Sequence, residues 1–187
     1  MLDLTRRVGL TLCVGMLIVT PAADAQSIRM NFEEMVATAA TIVVAEAIDA
    51  RSEWVTTGSS RVIITRRVFR VTETLKGNER VLLPLEFLGG TVGTTRQSVS
   101  GVPEFETGDR AVLFVLGTRA VSPIVGHDQG RFPITLGPDG TEYVTLPDRR
   151  AFSSVSQIGN PVTVSPVPVP TMPLTAFRSE VNRVLGQ

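Results

Sequence analysis

The chain alternates short apolar runs with glycine-containing turns, a pattern typical of a mainly β protein. Apolar residues lie on both sides of the segment 61–75, which predicts a strand that passes from one packing surface to another, as in small barrels. The residues 109–116 are the most apolar and are predicted to form the central core strand. Together the runs predict five or six short strands in a barrel or a sandwich, and a polar excursion after the third strand favours a partly open barrel. The runs are residues 41–55, 61–75, 81–88, 109–116 and 142–146, with weaker candidates near 121–125 and 131–136.

Two short helices are predicted, one before and one after the strands. Asn31 is placed to cap the first helix, and Glu34 is placed to bond back to the cap. An amphipathic helix is predicted over residues 174–187. It follows a segment, 151–173, in which prolines alternate with Val and Thr and which is predicted to be an extended spacer.

Residues 1–25 have the three parts of a secretory signal peptide. Arg6 and Arg7 are positively charged, residues 8–20 are apolar, and Ala23-Asp24-Ala25 fits the cleavage pattern. The apolar run is shorter than a spanning helix, so we expect cleavage, a secreted or periplasmic protein, and no membrane span after cleavage. The predicted units are a signal peptide (1–25), a β-barrel domain (26–150), a Pro-rich extended segment (151–173) and an amphipathic C-terminal helix (174–187).

The amino-acid composition excludes several kinds of site and argues against a nucleic-acid partner. The single Cys lies in the signal peptide, so the mature protein has no disulfide, no thiolate metal site and no Cys nucleophile. A single His excludes zinc sites built from several His side chains. Basic and acidic residues are equal in number, 18 of each, which gives no reason to expect a nucleic-acid partner. No cofactor is expected.

His127 and Asp128 lie in a glycine-bounded loop and are the candidate pair for general-base catalysis. An acid beside a His can orient it, and Ser98, Ser100 or Ser122 would then be the nucleophile of a small hydrolase. The chain lacks the G-x-S-x-G pattern that presents a catalytic serine in many hydrolases. We therefore favour a loop His without a catalytic role and keep the hydrolase as an alternative.

Three acidic residues surround Gly108 and are the candidate metal ligands: Glu104, Glu106 and Asp109. Oxygen ligands of this kind suit a hard cation such as Ca²⁺. The spacing of an EF-hand loop is absent, so we favour solvated acids at a turn and no metal.

The densest group of basic residues lies on and beside the second predicted strand and consists of Arg61, Arg66, Arg67 and Arg70. With Trp54 and Phe69 nearby, such a group on a barrel would suit single-stranded nucleic acid. The chain has few aromatic residues and no net charge, which argues against that partner. We expect these arginines to pair with acids on neighbouring strands, namely Glu46, Asp49, Glu73 or Glu86.

The glycine corner at residues 89–93 and the loop 94–108 form the predicted binding surface. Loops on a rigid barrel commonly carry recognition. The alternative is an irregular connection without a ligand. The candidate binding residues are Gly89, Gly90, Val102, Pro103, Glu104 and Phe105.

Two motifs carry a resemblance to known proteins. V-x-E-x-L-K-G ends at Gly77, and P-x-F-x-x-G-D-x-x-V-L-F begins at Pro103. They resemble secreted bacterial proteins of uncharacterised function whose pattern is similar to the netrin-like or tissue-inhibitor-of-metalloproteinases barrel. The resemblance covers about residues 32–135. It implies a small five- to six-stranded OB-like barrel, with a short N-terminal helix and a C-terminal helix after a Pro-rich spacer.

The same resemblance gives the expected function. Inhibitors of that kind chelate the protease zinc with an N-terminal Cys, and the mature chain has no Cys, so their mechanism does not carry over. We expect an exported, non-catalytic module that acts through protein–protein contact, with an extracellular metalloprotease as the first partner class to test. The alternatives are a small hydrolase using His127 as its base and a structural component of the cell envelope.

Overall fold

The computed structural model describes residues 29–118, 120–160 and 171–187, which form a sheet flanked by helices. The predicted signal peptide (1–25) and the proline-rich residues 161–170 lie outside the described residues. The elements in chain order are α1 (Phe32–Thr38), β1 (Thr41–Thr57), β2 (Ser60–Lys76), β3 (Leu82–Leu88), β4 (Gly90–Val92), β5 (Thr95–Gln97), β6 (Arg110–Val115), β7 (Arg131–Leu136), β8 (Glu142–Val144), a 3-10 turn (Val155–Gln157), β9 (Met172–Pro173) and α2 (Leu174–Leu185).

Seven strands pair in the order β3-β2-β1-β6-β7-β8-β9, and every neighbouring pair is antiparallel. β6 lies in the middle, which confirms the prediction that residues 109–116 contain the central core strand. β4 and β5 form a separate hairpin. The described chain is mainly β with two helices, as predicted. Strand pairing leaves this sheet with two ends, however, and does not close it into the predicted barrel.

β1 and β2 form one long hairpin with a two-residue turn, Gly58-Ser59. Gly58 has a φ of 61°, which supplies the positive φ that a tight hairpin turn requires. On β2, Leu75 belongs to the first hydrophobic cluster, which the helices cover, and Phe69 belongs to the second. The second cluster consists of Val43, Ala45, Ala47, Phe69, Leu83, Leu85, Phe87, Phe105, Ala111, Leu113, Val115 and Ile124. The prediction that this strand passes between two packing surfaces is therefore confirmed.

The segment 121–125, predicted as a weak strand, is not one. It makes a single β-bridge, between Val115 and Ile124. Pro123 has no N–H to donate, and the chain turns again at Gly126, where φ is 60°, so the ladder does not extend.

The same segment nevertheless connects two strands that do not pair with each other. Leu88, at the end of β3, donates its N–H to Val121 O at 3.1 Å. Leu116, just after β6, donates its N–H to Pro123 O at 2.8 Å. Residues 121–124 thus lie between the end of β3 and β6.

Both helices pack on one face of the sheet. α1 begins with the predicted capping box, in which Asn31 Oδ1 accepts from Glu34 N–H at 2.8 Å and the Glu34 carboxylate accepts from Asn31 N–H at 3.0 Å. The ring centroid of Phe177 in α2 lies 5.4 Å from that of Phe32 in α1 and 4.9 Å from that of Phe132 in β7. Within the described ranges, no helix combines the length and apolar character needed to cross a bilayer.

Within the predicted extended segment, 151–173, the described buried apolar residues belong to this helix-covered core. Val155–Gln157 form a 3-10 turn, and Phe152 and Ile158 are buried in the core. Met172–Pro173 pair with β8, so α2 returns to the sheet. The partners of these apolar residues are distant in the sequence, and local composition therefore does not reveal them.

Candidate functional site

One face of β1, β2 and β3 carries the second hydrophobic cluster, and we call it the inner face. Along the strands this face changes from apolar to polar. Phe69 of β2 is buried in the second hydrophobic cluster. Because side chains on a strand alternate between faces, Arg67 and Thr65 follow Phe69 on the same face. Ala50 and Ser52 lie opposite them on β1. We call Ser52, Thr65 and Arg67 the polar floor.

The β4–β5 hairpin and residues 98–105 cover the polar floor. Gly89 donates its N–H to Ile63 O, and Ile63 donates its N–H to Gln97 Oε1, both at 2.7 Å. Gly89 and Gly90 have φ values of 100° and 134°, which glycine adopts readily and other residues do not. These two glycines let the chain turn back over the sheet, and the two hydrogen bonds hold the cover on β2.

Gly90 lies directly against the polar floor. A Cβ at this position would be 2.1 Å from Thr65 Oγ1 and 2.7 Å from Ser52 Oγ. The two hydroxyl oxygens are 2.8 Å apart, and Thr65 donates its hydroxyl hydrogen to Gly89 O at 2.7 Å. Ser52 is therefore the donor to Thr65, and both hydroxyls retain only acceptor capacity.

Phe105 forms one side of the space between floor and cover. Its ring centroid lies 5.0 Å from that of Phe69 and 5.5 Å from that of Phe87. Its backbone oxygen accepts a hydrogen bond from Arg67 Nη2, and the Arg67 guanidinium carbon lies 5.9 Å from its ring centroid. Phe105 thus contacts both the apolar cluster and the cationic end of the polar floor.

Arg67 is the member of the polar floor whose hydrogen bonds are incomplete. Its Nη1 is buried and has no hydrogen-bond partner among the described residues. Burial lowers the pKa of the Arg67 guanidinium from its ordinary value, and the charges of Asp109 and Asp49 oppose that shift. Arginine remains cationic at neutral pH, so the floor carries a positive charge with an unused donor.

Floor and cover enclose a cleft of about 290 Å³. At its rim, Arg96 donates to Glu104 at 2.6 Å, and both side chains are exposed. The cleft is near the small end of the size range of ligand pockets, and it combines apolar walls with a cationic floor. The structure brings all six predicted binding residues to this cleft: Gly89, Gly90, Val102, Pro103, Glu104 and Phe105.

Comparisons of the chain with protein-family models, with curated proteins and with solved structures found no match. The chemistry of the cleft is therefore inferred from its own residues. Two of these residues, Arg67 and Gln97, were not among the predicted binding residues. The sequence does contain a signal for Arg67, because alternation along β2 puts this charged residue on the same face as the buried Phe69.

The candidate catalytic pair is not assembled with a serine. Asp128 accepts two hydrogen bonds from Arg131, at 2.5 and 2.7 Å. Ser122 Oγ donates to the backbone oxygen of His127 at 2.6 Å, and Ser98 lines the cleft instead. The His127 imidazole is exposed and forms no hydrogen bond with any described residue. The described part of the chain thus contains no Ser–His–acid arrangement.

Two of the three candidate metal ligands, Glu104 and Asp109, have other partners. Glu104 pairs with Arg96 at the rim of the cleft. Asp109 Oδ2 accepts a hydrogen bond from Glu106 N–H at 2.8 Å, within a local turn. Among the residues that the structure describes, no group of three or more His, Cys, Asp or Glu side chains is arranged to hold a metal ion.

The arginines of β2 are divided between the two faces of the sheet. Arg66 pairs with Glu86 at 2.8 Å, and Arg70 pairs with Glu46 at 3.5 Å, which confirms the predicted pairing for these two residues. Arg67 lies on the inner face instead. The three side chains therefore do not form one basic surface, and the absence of a nucleic-acid partner stays a prediction.

Proposed function

We propose that this chain is an exported, non-catalytic binding domain that acts through protein–protein contact at the cleft. The observation that carries the proposal is the convergence of the six predicted loop residues on one cleft. Loops fixed on a sheet can recognise a partner by shape and by a few polar groups, without catalytic side chains. Export to the periplasm or the medium rests on the leader pattern of residues 1–25.

The architecture that we propose for this domain is a partly open OB-like barrel. Its walls would be β1, β2, β3, β6 and the segment 121–124, which bonds to the end of β3 and bridges to β6. In support, the second hydrophobic cluster contains residues from all five of these segments. An experimental structure in which residues 121–124 lie away from β3 would contradict this architecture.

The partner class that we propose to test first is an extracellular metalloprotease. It comes from the resemblance to the netrin-like and tissue-inhibitor-of-metalloproteinases proteins. Because the mature chain has no Cys, the contact would use the cleft and its loops rather than chelation of the protease zinc by a Cys residue.

Binding of the purified protein to a panel of secreted zinc metalloproteases, measured by biolayer interferometry, tests the proposal. The variant Val102→Asp introduces a charge among the cleft-lining residues. The matched control, Val81→Asp, makes the same change outside the cleft at a residue that is 76% exposed. We expect Val102→Asp to weaken binding at least about tenfold and Val81→Asp to leave it unchanged. Equal effects of the two substitutions would contradict a role of the cleft, and a panel without any binder would remove this partner class.

The two alternative functions have separate tests. Turnover of an ester or peptide substrate by the purified protein that disappears in His127→Ala would replace the binding proposal with the hydrolase. His127 is exposed, so its loss is expected to leave folding intact. Retention of the exported protein in the cell-wall fraction would favour the envelope component.

A further inference from the structure

Two side chains of the cleft carry hydrogen-bond donors without an acceptor. Arg67 Nη2 donates to Phe105 O, but the buried Nη1 has no partner among the described residues. Gln97 accepts the N–H of Ile63 through Oε1, which fixes its amide orientation, and its Nε2 donates to no described residue. A buried donor without an acceptor is unfavourable, so an acceptor placed beside Arg67 Nη1 would be stabilised. The Gln97 amide lines the same cleft and offers a second donor.

The protein's own carboxylates do not fill that position. The charges of Asp49 and Asp109 act on Arg67, but neither residue forms an ion pair with it among the described residues. Asp49 Oδ1 accepts from Ala50 N–H, and Asp109 Oδ2 accepts from Glu106 N–H, both at 2.8 Å. The floor hydroxyls, Ser52 and Thr65, donate to other acceptors and supply no donor of their own. Arg67 and Gln97 therefore leave a cationic donor and an amide donor unused within the cleft.

The cleft also has an apolar part. Its size, about 290 Å³, suits a group of one or two residues rather than a large ligand. A ligand that joins an acceptor to an apolar group would use both parts of the site. The apolar lining residues include Phe87, Val99, Val102 and Phe105.

We propose that the cleft binds a carboxylate attached to an apolar group, with the Arg67 guanidinium and the Gln97 amide donating hydrogen bonds to the carboxylate. A guanidinium suits this ligand because its planar donors match the two carboxylate oxygens and the bonds are charge-assisted. This inference rests on the proposed function and names what the partner presents. The carboxylate is either the C-terminus of a polypeptide or the side chain of an Asp or Glu beside an apolar residue.

Three small compounds distinguish these sources. They are acetyl-Ala-Leu with a free carboxylate, the same dipeptide as its C-terminal amide, and acetyl-Asp-Leu-amide, whose only charge is on the side chain. Each is titrated into the ¹⁵N-labelled protein while the amide signals of the cleft residues are followed by NMR. We expect one or both carboxylate compounds to bind and the neutral amide to bind at least about tenfold more weakly. The carboxylate compound that binds more tightly identifies the source. Equal binding of all three, or no binding at millimolar concentration, would overturn the inference.

Variants of the two donors test the assignment of residues. Arg67→Gln removes the cation, and Arg70→Gln makes the same change on the same strand at an exposed side chain outside the cleft. We expect Arg67→Gln to weaken binding of the carboxylate compound at least about tenfold and Arg70→Gln to leave it unchanged. Gln97→Glu is a second variant, because it keeps the acceptor for Ile63 but replaces the donor with an oxygen that repels a carboxylate. Unchanged affinity in both donor variants would contradict the inference.

Failure of this inference can be told from failure of the proposed function. A metalloprotease that binds the wild type and Arg67→Gln equally, but not Val102→Asp, would leave the protein–protein contact intact and disprove the carboxylate site. Carboxylate compounds that bind in an Arg67-dependent way, with no protein partner found, would support the site and count against the protein–protein contact.

Discussion

A guanidinium on the inner face of a sheet loses part of its hydration, and hydrogen bonds to protein groups must replace it. Arg67 meets this requirement only in part, since one nitrogen bonds to Phe105 O and Nη1 bonds to nothing in the described residues. Burial lowers the pKa of this guanidinium, because the folded protein solvates its charged form less well than water does. The group stays protonated near neutral pH in both the folded and the unfolded chain, so the resulting loss of stability does not vary with pH there.

Arg67→Met is predicted to retain or raise stability while abolishing carboxylate binding. Met has a similar length and needs no hydrogen bonds, and replacing incompletely paired charges with apolar groups is often neutral or stabilising. We expect the free energy of unfolding in urea to change by between zero and about +1 kcal/mol. The control Arg70→Met, at an exposed site, should stay within about 0.5 kcal/mol of the wild type. A clear loss of stability in Arg67→Met alone would show that Arg67 stabilises the fold rather than the bound state.

Gly90→Ala is predicted to destabilise the protein more than Gly93→Ala, although both residues lie in the cover of the cleft. Gly93 has a φ of 58° and open space around its Cβ position, so its substitution costs about 1–2 kcal/mol through the backbone. At Gly90 the new Cβ would also collide with Thr65 Oγ1 and displace the hydroxyl pair of the floor. We expect an extra loss of at least about 1 kcal/mol in urea unfolding. Equal losses would mean that the cover can move away from β2 freely.

At the level of elements, what the sequence could predict depended on where the partners of each residue lie. α1 was predictable because the capping box is contained within four residues, and β6 because its apolar run is continuous. The segment 121–125 has strand-like composition, but its hydrogen bonds depend on the distant Leu88 and Leu116. The six predicted loop residues of the cleft lie within residues 89–105, so local patterning could group them, and their role in binding stays a prediction. Arg67 was not assigned to them, because the missing hydrogen-bond partner of its Nη1 is visible only in three dimensions.

Asn31→Ala is predicted to destabilise the protein by about 1 kcal/mol, because it removes the acceptor of the Glu34 N–H at the start of α1. α1 has seven residues and carries buried Phe32 and Met35 into the core, so fraying at this end loosens the packing. Thermal unfolding followed by circular dichroism measures the change. Glu34→Gln is the control, since Gln can also close a capping box and should change stability by less than about 0.5 kcal/mol. Similar losses in both variants would indicate that the charge of Glu34 supports the helix as much as the cap does.

On the scale of the whole molecule, two hydrophobic clusters lie on opposite faces of one sheet. The first is covered by α1, α2 and residues 152–158, whereas the second borders the cleft and shares Phe87 and Phe105 with it. β1 and β6 contribute to both clusters, so the helix-covered side supports the strands that form the cleft. A rigid support behind a binding cleft reduces the ordering that a ligand must impose.

Deletion of residues 171–187 is therefore predicted to destabilise the entire protein and not only its C-terminal end. The deletion removes Phe177 and Val181, both fully buried, and exposes the rings of Phe32 and Phe132 that pack against Phe177. Loss of a single buried Phe already costs about 3–5 kcal/mol, which is a large part of the stability of a typical domain. We expect the truncated protein to bind the dye ANS and to lose its cooperative thermal transition, while deletion of residues 186–187 alone leaves that transition unchanged. A truncated protein that unfolds cooperatively at the wild-type temperature would instead mean that the predicted domain, residues 26–150, folds independently of α2.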